Sequence, residues 1–392
     1  MARGLRYSVD FDNDGVWDVV DSTATRFTIP AALLADNRLL EIRGRVRDTN
    51  AAGAATGPDI GASEMRTSLI VRDVAPTLLV TGASTVAEGS PYTLQLVAVD
   101  PGADTVSRWI IDWADGEVQV VDEAAPSVVH RFRNDGPRTL QITAINDDGS
   151  FGTTKSVVVT NVAPALANLA ATPVDEGGIA VLTGLVIEPG SADGTTLTIQ
   201  WGDGSAPELV TLAAGASSFT LSHRYLDDPT AGTASDVLPI TVSVSDGAAS
   251  SQAGTSVTVR NVAPGLGDLA VAPQVREGSP ALLTGVLTDP GALDSHRVSI
   301  DWGDGSPAQV LELAAGETSF SAEHAYADDN PTATPSDLYT VRVSLVDKDG
   351  GAVQAERSIT VDNVAPVLDG ALTATQVGLR RDVVFTGRYA DT

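Results

Sequence analysis

At 392 residues, 43% hydrophobic and only 5% aromatic, with 37 Gly and 21 Pro, the chain is too long for one β-sandwich of ~100 residues and suits three or four modules of short strands and turns. The 51 acidic against 24 basic side chains give a formal charge of −27, which repels phosphate backbones and anionic lipid and favours dissolved cations. Nucleic acid is therefore excluded as a partner, and the absence of Cys removes disulfides and thiolate metal sites. No run approaches 18 apolar residues and no apolar segment follows Met1, so the stretch is expected to be soluble, without membrane insertion or an export address of its own.

Self-similarity organises the chain. Asp-Val-Ala-Pro at 73–76 returns as Asn-Val-Ala-Pro at 161–164, 261–264 and 363–366, with the prolines 88, 100 and 102 residues apart. The expected domains are 1–75 (partial), 76–163, 164–263, 264–365, and 366–392 as the start of a further module. Both end pieces enter or leave the repeat part-way, as expected of an excerpt from a longer array.

In 1–75, Tyr7 to Gly15 falls where later repeats carry a Trp-centred strand. The loop that follows places oxygen donors at Asp10, Asp12 and Asp14, Gly15 at the sixth position, the Val16 carbonyl at the seventh, and Asp18 and Asp21 at the ninth and twelfth. That spacing fits a loop wrapping Ca²⁺. It differs from an EF-hand in offering Asp21 for the bidentate Glu and in lying between strands, and an acidic hairpin without an ion is the competing reading.

The three full repeats share their punctuation. Glu-Gly occurs at 88–89, 176–177 and 277–278; Pro-Gly at 101–102, 189–190 and 290–291; Trp-x-Asp-Gly begins at Trp113, Trp201 and Trp302; His-x-aromatic begins at His130, His223 and His324. In the last repeat, Val298, Ile300 and Trp302 alternate with polar neighbours, as do Tyr339, Val341, Val343 and Leu345. Period two is the mark of a half-buried strand. Strands are expected near 266–272, 280–288, 296–303, 308–313, 318–326, 337–346 and 352–361, an all-β, seven-stranded antiparallel Ig-like sandwich around a buried Trp. The Asp-Gly after each Trp is read as a turn device, with Gly supplying positive φ.

In such a sandwich the loop after the second strand, the last hairpin loop and the incoming linker meet at one end. There the sequence gathers Asp289, Asp294, Asp347 and Asp349 in one repeat, Asp100, Asp104, Asp147 and Asp148 in another, and only Glu188, Asp193 and Asp246 in the third. Like charges this close repel unless a cation or water separates them. Calcium at the junctions and plain solvated loops are the two readings.

Trp-Gly-Asp-Gly-Ser, the later His-x-Tyr, and Tyr-Thr-Val-x-Val-Ser-Leu-Val ahead of an Asp-x-Asp-Gly-Gly turn resemble PKD (polycystic kidney disease) domains. The resemblance covers 164–263 and 264–365 well, 76–163 with Ala114 for the first Gly, and the end pieces in part. It implies tandem Ig-like modules of bacterial or archaeal surface proteins, found beside extracellular hydrolases and making protein or polysaccharide contacts; PKD-like modules next to bacterial proteases hold Ca²⁺ at the junction end. Two repeats depart from the family by inserting Leu226–Asp236 and Ala327–Asp337, where a ligand is a natural guest.

An enzyme is not expected. Three of the four His recur at one repeated strand position, His296 stands alone, and no P-loop, dinucleotide fingerprint, Ser-nucleophile motif or zinc-binding His pair occurs. Proline at each joint fixes φ and removes a donor, so one module's last strand cannot run on into the next. The expected function is a non-catalytic structural and adhesive spacer, extracellular or at the cell surface, rigidified by calcium and contacting neighbouring modules and extracellular protein or polysaccharide. The alternative is a dedicated carbohydrate- or protein-binding array attached to an extracellular hydrolase.

Overall fold

The structure is a computed structural model that describes residues 4–49, 62–102, 104–122, 126–327, 334–376 and 383–390. Among them the fold is all-β, apart from one turn of 3-10 helix at Ala31–Leu34. The chain forms two compact units, Met1–Ala163 with Glu188–Asp193, and Pro164–Ile187 with Gly194–Thr392.

The second unit holds two like sandwiches. In 264–365 one sheet sets Pro280–Thr288 between Gly265–Val271 and Ser319–Ala325. The facing sheet runs Gln274–Arg276, Ala352–Asp362, Ser336–Asp347, His296–Asp301, Gln309–Leu313. Strict alternation in Pro280–Thr288 buries Ala281, Leu283 and Leu287 and leaves Leu282 and Val286 outside, so side-chain period alone assigns the faces. Residues 164–263 repeat the plan with orders Ala165–Ala171, Ile179–Ile187, Ser218–Arg224, and Val174–Asp175, Ser250–Arg260, Ser235–Ser245, Thr195–Gln200, Glu208–Leu212.

The antiparallel Ig-like sandwich expected from the sequence is present, with one short strand added to the seven. Each sandwich has an eighth short strand that pairs in parallel, Gln274–Arg276 along Ala352–Asp362 and Val174–Asp175 along Ser250–Arg260. Pro273 and Pro173 lie in the gap before it; lacking an amide donor, proline ends the first strand's pairing and lets the chain cross to the other sheet. The Pro273 carbonyl then accepts Thr360 N at 3.0 Å.

In the first unit, 76–163 forms the same two sheets, while Leu5–Asp10, Val19–Ser22, Arg38–Asp48 and Ala62–Val71 make a single four-stranded sheet. Val367–Gln376 and Val383–Ala390 pair antiparallel. Three separate cores result, each around its own indole: Trp113 with Leu94 and Ile142, Trp201 with Ile199 and Val242, Trp302 with Ile300 and Val343. All three indoles are at most 1% exposed.

Candidate metal centres and the module joints

The histidines are absorbed by the cores. His130, His223 and His324 stack on Trp113, Trp201 and Trp302 with ring centroids 4.4, 4.6 and 4.9 Å apart. Each Nε2 lies 2.7 Å from the turn carboxylate of Asp115, Asp203 or Asp304. The Asp-Gly turn and the His-x-aromatic motif are thus two ends of one contact. Burial would raise Asp203 and Asp304, but hydrogen bonds from His223, His324 and the serines after the turn hold both below their ordinary value. Tyr225 and Tyr326 close the corner by donating to the carbonyls of Trp201 and Trp302 at 2.9 and 3.0 Å. His296 is enclosed as well, with Nε2 2.7 Å from Asp289 and both side chains under 5% exposed.

The Glu-Gly motif has a joint-making role. Oε1 of Glu88, Glu176 and Glu277 accepts the amide of Val162, Val262 and Val364, the linker valine, at 2.8, 2.7 and 2.6 Å. A linker amide that proline-bounded geometry leaves without a strand partner is satisfied by a buried carboxylate. The glycine beside that glutamate faces the Pro-Gly loop. A Cβ on Gly177 (φ +69°) would lie 2.6 Å from the Pro290 carbonyl, and one on Gly89 (φ +67°) 2.6 Å from that of Pro189. Ala292 N then donates to Leu226 O, and Ala192 N to Arg133 O, each at 3.0 Å.

Within the second unit this joint concentrates acid. Glu176, Asp227 and Asp294 bring ligand oxygens within 4.8 Å of one another, as do Asp227, Asp228 and Asp349. Asp228 and Asp294 are fully buried and Glu176 is 2% exposed. Lys348 Nζ enters the cluster, 2.7 Å from Asp227 Oδ1 and 3.0 Å from Asp294 Oδ1, and also donates to Asp349 and to the Asp228 carbonyl. Glu176 Oε2 and Asp294 Oδ2 accept no well-formed hydrogen bond. Burial first, then neighbouring carboxylates, pushes Glu176, Asp228 and Asp294 each up to about 7. Burial alone would lower the Lys348 ammonium, yet its bonds to Asp227, Asp349 and Asp294 drive it well above its ordinary range.

Of the four junction residues expected in this repeat, Asp294 and Asp349 join the cluster, Asp289 serves locally, and Asp347 accepts the linker's Asn261 Nδ2 at 3.3 Å as well as bonds within its own hairpin. Asp289 accepts from Gly291 N and holds His296; Asp347 Oδ1 closes its hairpin by accepting Asp349 N and Gly351 N. The inserted segment Leu226–Asp236 is committed to the joint, with Gly232 N donating to Asp349 Oδ1 at 2.9 Å. In the other inserted segment, Ala327–Asp337, residues 328–333 lie outside the described set. The sequence names none of Glu176, Asp227, Asp228 and Lys348 as a ligand, although Glu176 belongs to the recurring Glu-Gly and Asp227 and Asp228 lie in the inserted segment. The recurrence of Glu-Gly was the available signal.

In the first unit Asp36, Asp104 and Asp148 converge to within 4.8 Å, and Asn37 donates to Asp148. Burial and the charges of Asp148 and Asp100 push Asp104 up to about 6. Asp147 adds to that field, and Asp100 Oδ1 accepts Gly102 N. Glu88, Glu188 and Asp193 form a further group, while Asp246 caps its own hairpin through Ala248 N and Ala249 N.

The first acidic loop brings together Asp10, Asp12 and Asp18 within 4.8 Å. Asp10 is fully buried; its Oδ2 accepts Gly15 N at 3.1 Å and its Oδ1 has no hydrogen-bond partner. Asp18 accepts Phe11 N, and Asp14 accepts the amide of the exposed Val16. Asp21 turns away to pair with Arg47. Trp17 beside it lies under Arg43 and Arg45, whose guanidinium carbons are 4.4 and 4.6 Å from the ring centroid.

Similar solved structures are tandem or single Ig-like modules. A tetra-tandem repeat from the extending region of a large adhesion protein is 15% identical, with 92% of this chain and 93% of that one covered at a TM-score of 0.45. An I-band fragment of titin is 13% identical, covering 74% and 99% at 0.34. The PKD domain of a peptidase from a Thermoplasmatales archaeon is 20% identical, covering 23% of this chain and 100% of that one at 0.21. No protein-family model and no curated protein matches the chain. Among the described residues, no helix is long and apolar enough to cross a membrane.

Proposed function

We propose that the chain is a non-catalytic spacer of PKD-type Ig-like modules from a bacterial secreted or cell-surface protein, with calcium stiffening its joints. The observation that carries this reading is the repeated joint, where a buried glutamate holds the linker amide and the next Pro-Gly loop packs on the adjacent glycine. Linkers fixed in this way transmit orientation rather than swivel. The histidines support the absence of catalysis, since three recur once per module stacked on a core indole and His296 is enclosed with Asp289. Adhesive contact with extracellular protein or polysaccharide falls to exposed faces such as the one carrying Leu79, Val97 and Val129.

Calcium is the proposed partner of the acidic clusters because the groups there that could ligate a metal are all carboxylates, hard oxygen donors. Thermal melting of the full chain in calcium against chelator tests this. The midpoint is expected to rise in calcium, since a ligand bound only by the folded state stabilises it; an unchanged midpoint contradicts calcium bracing.

A further inference from the structure

We infer that the joint glutamate is a metal ligand shared between modules: Glu176 Oε2 and the carboxylates of Asp294 and Asp227 bind one Ca²⁺, tying the end of module 164–263 to the start of module 264–365. This rests on the proposed calcium bracing and assigns it to residues drawn from both sides of one joint. Glu176 divides its two oxygens. Oε1 is used by Val262 N at 2.7 Å, whereas Oε2 is buried without a well-formed hydrogen bond, the Asp228 amide being the other backbone donor that acts on this carboxylate. Oε2 points where the next module arrives, since a Cβ on Gly291 would lie 2.6 Å from both Glu176 Oε2 and Asp294 Oδ2. Asp294 is 0% exposed and its Oδ2 is likewise without a well-formed hydrogen bond.

Five carboxylates, Glu176, Asp227, Asp228, Asp294 and Asp349, meet a single ammonium here. Lys348 lies beside Asp227, Asp228, Asp294 and Asp349 and leaves Glu176 uncompensated. A buried carboxylate that is neither paired nor hydrogen-bonded at one oxygen is strongly disfavoured, and a divalent ion removes that penalty for two or three at once. Ligand oxygens within 4.8 Å of one another can share one cation, and a set made only of carboxylates suits Ca²⁺, which takes six to eight oxygens at about 2.3–2.6 Å.

The construction occurs twice. In the first unit Glu88 also gives one oxygen to a linker amide, Val162 N, while its buried Oε2 accepts no hydrogen bond, and Glu188 and Asp193 complete its group. Glu88 Oε2 lies 2.5 Å from where a Cβ on Gly190 would sit, the same relation that Glu176 has to Gly291. Recurrence without the Lys348 neighbour separates the metal role from that lysine.

Calorimetric titration of the full chain with calcium chloride tests the assignment. Glu176→Gln keeps an oxygen for Val262 N and is expected to bind one calcium fewer than the wild type, or to hold that equivalent at least tenfold more weakly. Asp294→Asn is expected to do the same, and Glu88→Gln with Glu176→Gln to lose two equivalents, with the far-ultraviolet circular dichroism of each unchanged. Asp10→Asn is expected to leave the joint equivalent intact. Wild-type stoichiometry and affinity in both Glu176→Gln and Asp294→Asn overturns the shared site, and a loss confined to Asp10→Asn would then leave calcium in the first loop standing. No calcium uptake by the wild type overturns the site and the bracing together.

Discussion

Trp302 fills the centre of its module and, through His324, fastens the Asp304 turn to a strand of the opposite sheet. Trp302→Ala empties that space and is expected to cost about 3–5 kcal/mol, read as a lower urea midpoint for the transition of module 264–365. The Asp304 carboxylate carries a pH signature. Its folded pKa lies below the ordinary 3.8, so its contribution is fully present above the unfolded value and is lost as pH falls through the folded one. Wild-type melting temperature is therefore expected to drop below about pH 4, the unfolded Asp range, and the Asp304→Asn variant to start lower with a flatter acid limb. Equal acid slopes for the two proteins would contradict the role of this contact. Of this residue-scale picture the indoles were legible in the sequence, because alternation around Trp302 fixes its inward face. The stacked His and its bond to the turn Asp were not, because the two partners are 20 positions apart and meet only when the sheets pack.

At the scale of elements, the turn after each Trp needs its first glycine more than its second. Gly303 has φ +83° and a Cβ there would lie 2.5 Å from the Thr340 carbonyl, whereas Gly305 at φ +80° faces open space. Gly303→Ala is expected to destabilise by more than about 1 kcal/mol and by more than Gly305→Ala, measured by denaturant unfolding; equal effects would remove the steric argument. Ala114 occupies the matching place in the first full repeat and keeps the left-handed conformation at φ +59°, so the turn persists there under backbone strain. The long strands were readable from period two. The two- and three-residue parallel strands were not, since so few residues carry no periodicity and only the prolines before two of them hint at a crossing. The joint was half legible: Asp294 and Asp349 were expected at one end, but Glu176 and the Asp227–Asp228 pair belong to the preceding repeat. Reading one repeat at a time cannot pair residues such as Gly232 and Asp349, 117 positions apart.

For the whole molecule, the charge of −27 is a self-repulsion that dissolved cations relieve. Three cores each closed around its own indole leave the joints, rather than a shared interior, to decide how the modules are held. A spacer must keep its ends apart, and modules of roughly 30–40 Å each placed end to end require a radius of gyration on the order of 40 Å, against about 21 Å for one compact domain of this length. Small-angle X-ray scattering of the full chain in calcium is the most direct test. The spacer account predicts the larger value with an elongated distance distribution; a symmetric distribution near the smaller value would contradict it.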